Sequence, residues 1–298
     1  MEDVNYKYKI GFRTRILNVF RIFFQNSKFE KWLVARTIGK PINNFWCKVI
    51  PPAYTYQNNS IRSVERDSIN YILDISNVMD HSAYFGYVDG SHDFLINLAQ
   101  NNDVIFDVGS NIGTTTLPFA KVINDGTIYS FEPDKTNFKR IFENIKLNPS
   151  LVSKIKLINI GFGSEKGKGN LYKVDDNNPG MNRILPSGIF KFEEIEIDTL
   201  DNFVIENNII KLDLIKIDVE GYELEVLKGA VNTLKKHKPK LFIEIDDDNL
   251  KGNGVSAKEL ISFVSKLKYS CYNVLTNDIV TENYNFEHCH FDIFCNYK

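Results

Sequence analysis

From residue 103 onward, short and continuously apolar runs alternate with stretches of helical periodicity, and this alternation constrains the fold more than any other feature of the chain. Val104-Ile105-Phe106, Ile128–Phe131, Ile155–Ile160, Leu212–Ile217 and Leu241–Ile245 read as strands. Helices are predicted over Thr114–Val122, Thr136–Lys146, Glu223–Leu234 and Ala257–Leu267. Strands that are apolar on both sides must be covered on both sides, so the pattern predicts a doubly wound, mostly parallel α/β sheet. Near the C-terminus, strand-like Tyr272–Leu275 and Phe291–Tyr297 follow each other with no helix between them. Two consecutive strands run antiparallel, so the last strand should be reversed.

The part before residue 100 has a different texture. A net charge of -2 conceals a split: residues 1–50 hold 10 Lys/Arg and 3 Asp/Glu, whereas residues 51–298 hold 26 and 35. Ile10, Leu17, Phe20 and Phe24 recur at near-helical spacing, and Pro51-Pro52 stops any helix and reads as a linker. The chain therefore divides into a basic helical extension (1–52), a substrate-side or lid segment (53–100) and a main domain (101–298). In the second of these, Ser91 is placed to cap a helix running toward Gln100. Two readings of the extension stand side by side: an interfacial helix meeting a lipid surface, or a helix packed on the domain with a solvated charged face.

No apolar run approaches the ~18 residues of a spanning helix, and Arg13, Arg15 and Arg21 interrupt every candidate signal-peptide core. The location expected is the cytoplasm, either free or peripheral at the inner face of a membrane. The four cysteines show no CxxC spacing, and reduced thiols are expected.

Asp107-Val108-Gly109-Ser110-Asn111-Ile112-Gly113 lies between a strand and a helix. Glycines there let a ligand approach the backbone. A dinucleotide turn has GxGxxG with a pyrophosphate on the helix amides; here the pattern is DxGxxxG. An acid at the strand end repels a pyrophosphate but can serve the ammonium of a methionine moiety, which favours S-adenosylmethionine over NAD. Glu132, at the end of the next strand, is placed for ribose hydroxyls. Asn159 meets an adenine edge or caps a turn. The cofactor candidates are Asp107, Gly109, Asn111, Gly113, Glu132, Asn159 and Asp218.

Ligands of open α/β sheets bind beyond the carboxyl ends of the strands. There the sequence places Asp218 and Glu220 after one strand and Glu244 and Asp246 at the tip of the next. Like charges crowded together raise at least one pKa, so Asp218, Glu244 and Glu220 are the catalytic candidates for taking a proton from a hydroxyl. Other readings are a divalent metal held by the same acids, although no metal is expected, and Glu220 with Glu223 complementing a helix N-terminus. His288-Cys289-His290 reads as structural or exposed histidines, or as a ligand or base; His81, beside Asp80, is a weaker candidate base.

Several chemistries are excluded. No Asn/Asp-Pro-Pro-aromatic turn follows the fourth strand, no Pro-Cys pair offers a thiolate, and an acidic body repels a phosphate backbone, so no nucleic-acid partner is expected. Residues 53–100 and 161–195 fall outside the core pattern and read as substrate lids.

The combination of DVGSNIG, FEP at 131–133, DTLDNF at 198–203, LIKIDVEGYELEVLKGA at 214–230 and the acid-ended strand LFIEID resembles the FkbM family of S-adenosylmethionine-dependent methyltransferases. The resemblance covers roughly residues 100–297. It implies a Rossmann-like, class I methyltransferase fold with a seven-stranded sheet whose last strand is reversed. It also implies O-methylation of a hydroxyl, in many members on a sugar of a glycan, glycolipid or secondary metabolite. On matching positions, Asp107, Gly109 and Gly113 would hold the methionine part, Glu132 the ribose, and Asp218 and Glu220 would lie at the methyl-transfer centre. Ser110 stands where Ala is usual, and Phe106 where a smaller aliphatic is common. An NAD-dependent oxidoreductase or epimerase and a non-catalytic module that keeps the fold are the competing readings.

Overall fold

A computed structural model describes residues 11–88, 90–174, 179–185, 188 and 190–298. Among them, the residues up to Val88 with Pro179 and Gly180 form one compact unit, and Gly90–Val174 with Met181–Lys298 form another.

The first unit contains α1 (Phe12–Arg21), α2 (Ser27–Thr37), α3 (Phe45–Lys48), a hairpin of β1 (Ile61–Arg66) and β2 (Ile69–Asp74), and α4 (Val78–Phe85). Asp67 and Ser68 both have positive φ, as a two-residue turn between right-twisted strands requires. β2 alternates, with Ile69, Tyr71 and Leu73 buried. The described residues of the leader carry α1, α2 and α3 and share this unit with residues 53–88, and Ile10 lies outside the described residues. After α3, the Pro51 carbonyl lies 2.8 Å from Nε2 of buried His81. Burial lowers the His81 pKa to about 4, and its ring packs between Tyr56 and Phe85. It is a core residue rather than a base.

The second unit contains α5 (Gly90–Asn97), β3 (Val104–Val108), α6 (Thr116–Val122), β4 (Thr127–Phe131), α7 (Lys135–Lys146), β5 (Ile155–Ile158), β6 (Gly161–Phe162), β7 (Gly167–Tyr172), β8 (Arg183–Ile184), β9 (Phe192–Asp198) and α8 (Leu200–Glu206). After these come β10 (Leu214–Ile217), α9 (Glu223–Lys228), α10 (Val231–His237), β11 (Lys240–Asp246), α11 (Asp247–Gly252), α12 (Ala257–Lys266), β12 (Tyr269–Asn273), β13 (Ile279–Val280) and β14 (His290–Tyr297). The main sheet has the order β13-β12-β14-β11-β10-β3-β4-β5. β11, β10, β3, β4 and β5 are parallel, and β14 runs antiparallel between β11 and β12. This is the doubly wound sheet with a reversed last strand that the sequence predicts, its seven strands extended by the two-residue β13. Phe131 anchors the core, with its ring centroid 5.2 Å from Phe106, 4.7 Å from Phe162 and 4.9 Å from Phe203, each edge to face. All four cysteines are free; Cys271 and Cys295 face each other across β12 and β14.

Two local expectations change. Ser91 lies inside α5 rather than at its cap. The helix expected over Glu223–Leu234 is two helices, because Gly229 passes against the Gly163 carbonyl; a Cβ there would sit 2.0 Å from that oxygen. The Asp201 carboxylate then accepts the Asn232 and Thr233 N–H groups and starts α10 afresh. Residues 161–195 do lie outside the main sheet, and their described residues contribute to a second one, β6-β9-β7-β8. Its β9 buries Ile195 and Ile197 on either side of exposed Glu196.

Candidate active site

The strand order reverses between β3 and β10: β4 and β5 continue to one side, β11 to the other. A crevice beyond the carboxyl ends forms at such a switch point. Val108 and Ile217 end the two strands in register, and the Asp218 N–H donates to the Val108 carbonyl at 3.2 Å. The chain leaving β3 therefore turns directly against the chain leaving β10. Gly109 has φ +83, and a Cβ there would lie 1.9 Å from the Asp218 carbonyl oxygen. Only glycine fits both the angle and the space. Gly109 and Ser110 N–H groups donate to the Phe131 carbonyl, and Asn111, at φ 49, donates its N–H to Glu132 Oε2 at 2.7 Å. Gly113 closes the turn.

Glu132 is buried, and its other oxygen accepts the Asp134 N–H at 2.9 Å. Burial pushes its pKa up to about 8 against those two donors. A buried carboxyl of this kind beside the turn is the group suited to ribose hydroxyls. The Asn159 amide donates to the Glu132 and Pro133 carbonyls, so in this structure it clips the loop after β4.

Sequence reasoning missed Lys216. It is buried in β10, in register with Asp107 on β3, and its Nζ lies 3.5 Å from Asp107 Oδ1 and 3.2 Å from Asp218 Oδ2. It also donates to the Gly109 carbonyl at 2.7 Å. Burial opposes the charge, but Asp218 and then Asp107 outweigh it and raise the pKa above the usual lysine value. Asp107 is wholly buried; Oδ2 accepts from Thr116 Oγ1 at 2.5 Å, and Oδ1 receives no hydrogen bond, only the ammonium at 3.5 Å. Asp107 thus faces two partners from its own chain. The signal was legible: a lone lysine inside the run Leu214–Ile217, on a strand covered on both faces.

Asp218, Glu220 and Glu244 converge, one carboxylate oxygen from each lying within 4.8 Å of the others. Glu220 has φ 56 and accepts from Asn249 Nδ2 at 2.9 Å, and Arg183 donates to the other side of that amide. Burial and then Asp218 raise the Glu220 pKa to about 8, opposed by Arg183. Burial, Asp218 and Glu220 together hold Glu244 well above the carboxylate range. Oxygen ligands at this separation could also hold a divalent cation. Glu223 supports the cluster from beneath: one oxygen accepts the Val219 and Gly221 N–H groups, which fixes the turn that carries Glu220.

Asp246 caps α11 by accepting the Asn249 N–H at 2.9 Å, and its charge adds to the rise of the Glu220 pKa. His288 and His290 do not share a strand face. His288 has φ 49, precedes β14 and pairs with Asp248 at the surface, whereas His290 approaches Asp246 at 3.2 Å and Glu244 at 3.6 Å.

A parallel sheet with a reversed strand, a glycine turn at its switch point and acids at two adjacent strand ends define a class I, Rossmann-like methyltransferase. The Methyltransferase FkbM domain family matches residues 107–271, and the chain belongs to it. The family's cofactor is S-adenosylmethionine, and the turn fits it through the buried Glu132 carboxyl that stands beside it. Among curated relatives, the hexuronic acid methyltransferase AglP of Haloferax volcanii is 31% identical over 176 residues, 59% of this chain and 67% of that protein. An FkbM methyltransferase from Methylobacillus flagellatus KT superposes with a TM-score of 0.43 at 17% identity, covering 65% of this chain and 43% of that one. An rRNA methylase from Streptococcus thermophilus gives 0.39 at 12% identity, covering 70% and 93%. No helix among the described residues is long and apolar enough to cross a membrane.

Proposed function

We propose that this protein is an S-adenosylmethionine-dependent O-methyltransferase acting on a sugar hydroxyl of a glycan, glycolipid or secondary metabolite. The observation that carries the reading is the convergence of Asp218, Glu220 and Glu244 beside the Gly109 turn. A sugar acceptor is supported by the hexuronic acid methyltransferase relative.

Bound S-adenosylmethionine supplies a methyl group already activated by its sulfonium. Glu132 and the turn from Asp107 to Gly113, including Asn111, hold the nucleoside and methionine ends, with Asn159 bracing the loop beside Glu132. Lys216 keeps Gly109 and Asp218 in one geometry. Aligning the hydroxyl oxygen for in-line displacement can supply roughly 7–11 kcal/mol. The hydroxyl proton passes to the carboxylate cluster, which adds about 10²–10⁴-fold. Asp218, with its side chain 39% exposed, is more open to an incoming hydroxyl than Glu244, at 17%. Glu220 and Glu244 behind it have high proton affinity and can share the transferred proton.

The test is a calorimetric titration with S-adenosylhomocysteine and with NAD, followed by methyl transfer from labelled S-adenosylmethionine to uronic acid and neutral glycosides. Binding of S-adenosylhomocysteine with label on a hydroxyl is expected. Binding of NAD instead would overturn the reading; cofactor binding without transfer to any glycoside would overturn the sugar acceptor.

A further inference from the structure

The first unit wears its apolar side chains outward. Phe12, Ile16, Val19, Phe20 and Phe23 recur at helical spacing along α1 and the turn after it, and all five are exposed. The opposite side is the polar one, and it faces inward. Asn18 is buried and donates to the Tyr54 hydroxyl at 2.8 Å, Arg21 donates to the Lys48 carbonyl at 2.9 Å, and Gln25 donates to the Thr55 carbonyl and hydroxyl. A helix on a water-facing surface ordinarily does the reverse. A connected aromatic belt adjoins it: Phe24 contacts Phe29 and Trp32, and Trp46 contacts Trp32 and Phe45. Twelve of the twenty-six exposed large apolar side chains among the described residues fall between 12 and 45.

The charge on the same segment has one sign. Residues 11–50 contain a single carboxylate, Glu30. It is buried, held by Arg62 through two bonds at 2.7 and 3.1 Å and by the Tyr84 hydroxyl at 2.9 Å. The exposed charges are therefore all basic, among them Arg13, Arg15, Lys28, Lys31 and Lys48, while Arg36 lies over the Trp32 and Trp46 rings. Apolar rings set among cations match the boundary of a lipid bilayer carrying negative headgroups. A second copy of the same face would bring like charge against like charge, which disfavours a symmetric dimer through it. No helix among the described residues is long and apolar enough to span the bilayer, and a short helix with one apolar face fits an interfacial contact.

We infer that this face seats the protein on an anionic lipid surface. The rings of α1 enter the headgroup boundary, and the basic side chains meet the lipid phosphates.

The test is flotation of the full chain with vesicles of phosphatidylcholine alone and of phosphatidylcholine with about one third phosphatidylglycerol, at low and high salt. Strong partitioning onto the anionic vesicles, weakened by salt, is expected. Phe20→Glu with Phe23→Glu should reduce that partitioning about tenfold or more while leaving the far-ultraviolet circular dichroism unchanged. Should that variant fail to fold, Lys28→Gln with Lys31→Gln removes charge without touching the rings and should weaken binding only to the anionic vesicles. No flotation with anionic lipid, or equal flotation with both vesicle types, would overturn the inference. So would flotation indifferent to the phenylalanine substitutions, or a dimer that those substitutions dissolve in the absence of any flotation. Each of these outcomes is independent of whether the second unit transfers methyl groups.

Discussion

The Lys216 ammonium stands 3.2 Å from Asp218 Oδ2 at the end of β10, and from the same position it holds the Gly109 carbonyl of the neighbouring strand's turn. One buried cation thus ties the candidate cofactor turn to the candidate proton acceptor. Lys216→Met should leave Asp107 buried with its remaining oxygen uncompensated, a loss on the order of 3–5 kcal/mol. At about 2–4 °C per kcal/mol for a domain of this size, thermal melting should show a fall of roughly 6–20 °C. Adding Asp107→Asn should recover part of it, because the orphaned charge is then gone; a single variant as stable as the native chain would contradict this account.

Gly109→Ala should abolish S-adenosylhomocysteine binding. The added methyl meets the Asp218 carbonyl at 1.9 Å and φ +83 is strained for alanine, so β3 and β10 cannot keep their present spacing. Titration calorimetry on folded protein checks this, and affinity within about threefold of native would refute the close approach.

Substituting the acids separates chemistry from cofactor binding. Asp218→Asn, Glu220→Gln and Glu244→Gln should each lower kcat by about 10²–10⁴-fold with S-adenosylhomocysteine affinity little changed for the two glutamates. Since the cluster must be deprotonated to accept a proton, kcat should rise with pH through about 8, the pKa of Glu220. Glu220→Gln should shift or remove that limb. Full turnover in Asp218→Asn would remove Asp218 from the proton-accepting role.

Metal removal distinguishes the two uses of the same carboxylates. If they act as a proton acceptor, dialysis against a chelator should leave the rate unchanged. A rate that disappears and returns with added magnesium would reassign the three oxygens within 4.8 Å to a cation.

Stability should fall as pH rises. Glu132 and Glu220 have folded pKa values near 8 and Glu223 near 7, all above the ordinary glutamate value of 4.5. Between those limits the folded state binds more protons than the unfolded one, so the stabilisation is complete below 4.5 and drains away toward 8. The melting temperature without cofactor should therefore be lower at pH 8.5 than at pH 6, and Glu220→Gln should flatten the slope. A melting temperature that climbs over this interval would contradict the burial of these acids.

The alternation of apolar runs and helical periods after residue 103 determined the sheet, its reversed last strand and the place of the Gly109 turn, because those features follow from local hydrophobic spacing and from glycine. The four acids were legible as a group near two strand ends, but the second use of Asp246, capping α11 through the Asn249 N–H, was not. The break at Gly229 was invisible because it depends on Gly163, 66 residues away, passing within contact of its backbone.

The sequence by itself determined which residues are charged and which are apolar, and hence the fold class and the basic leader. Only the tertiary structure decided which of them meet. It paired Lys216 with Asp107 across β3 and β10, brought Glu220 to Glu244, and turned the apolar stripe of α1 outward while burying Asn18. The physical reason is that a residue's proton affinity and exposure depend on neighbours supplied by distant parts of the chain, and strand register and helix packing, rather than local spacing, choose those neighbours.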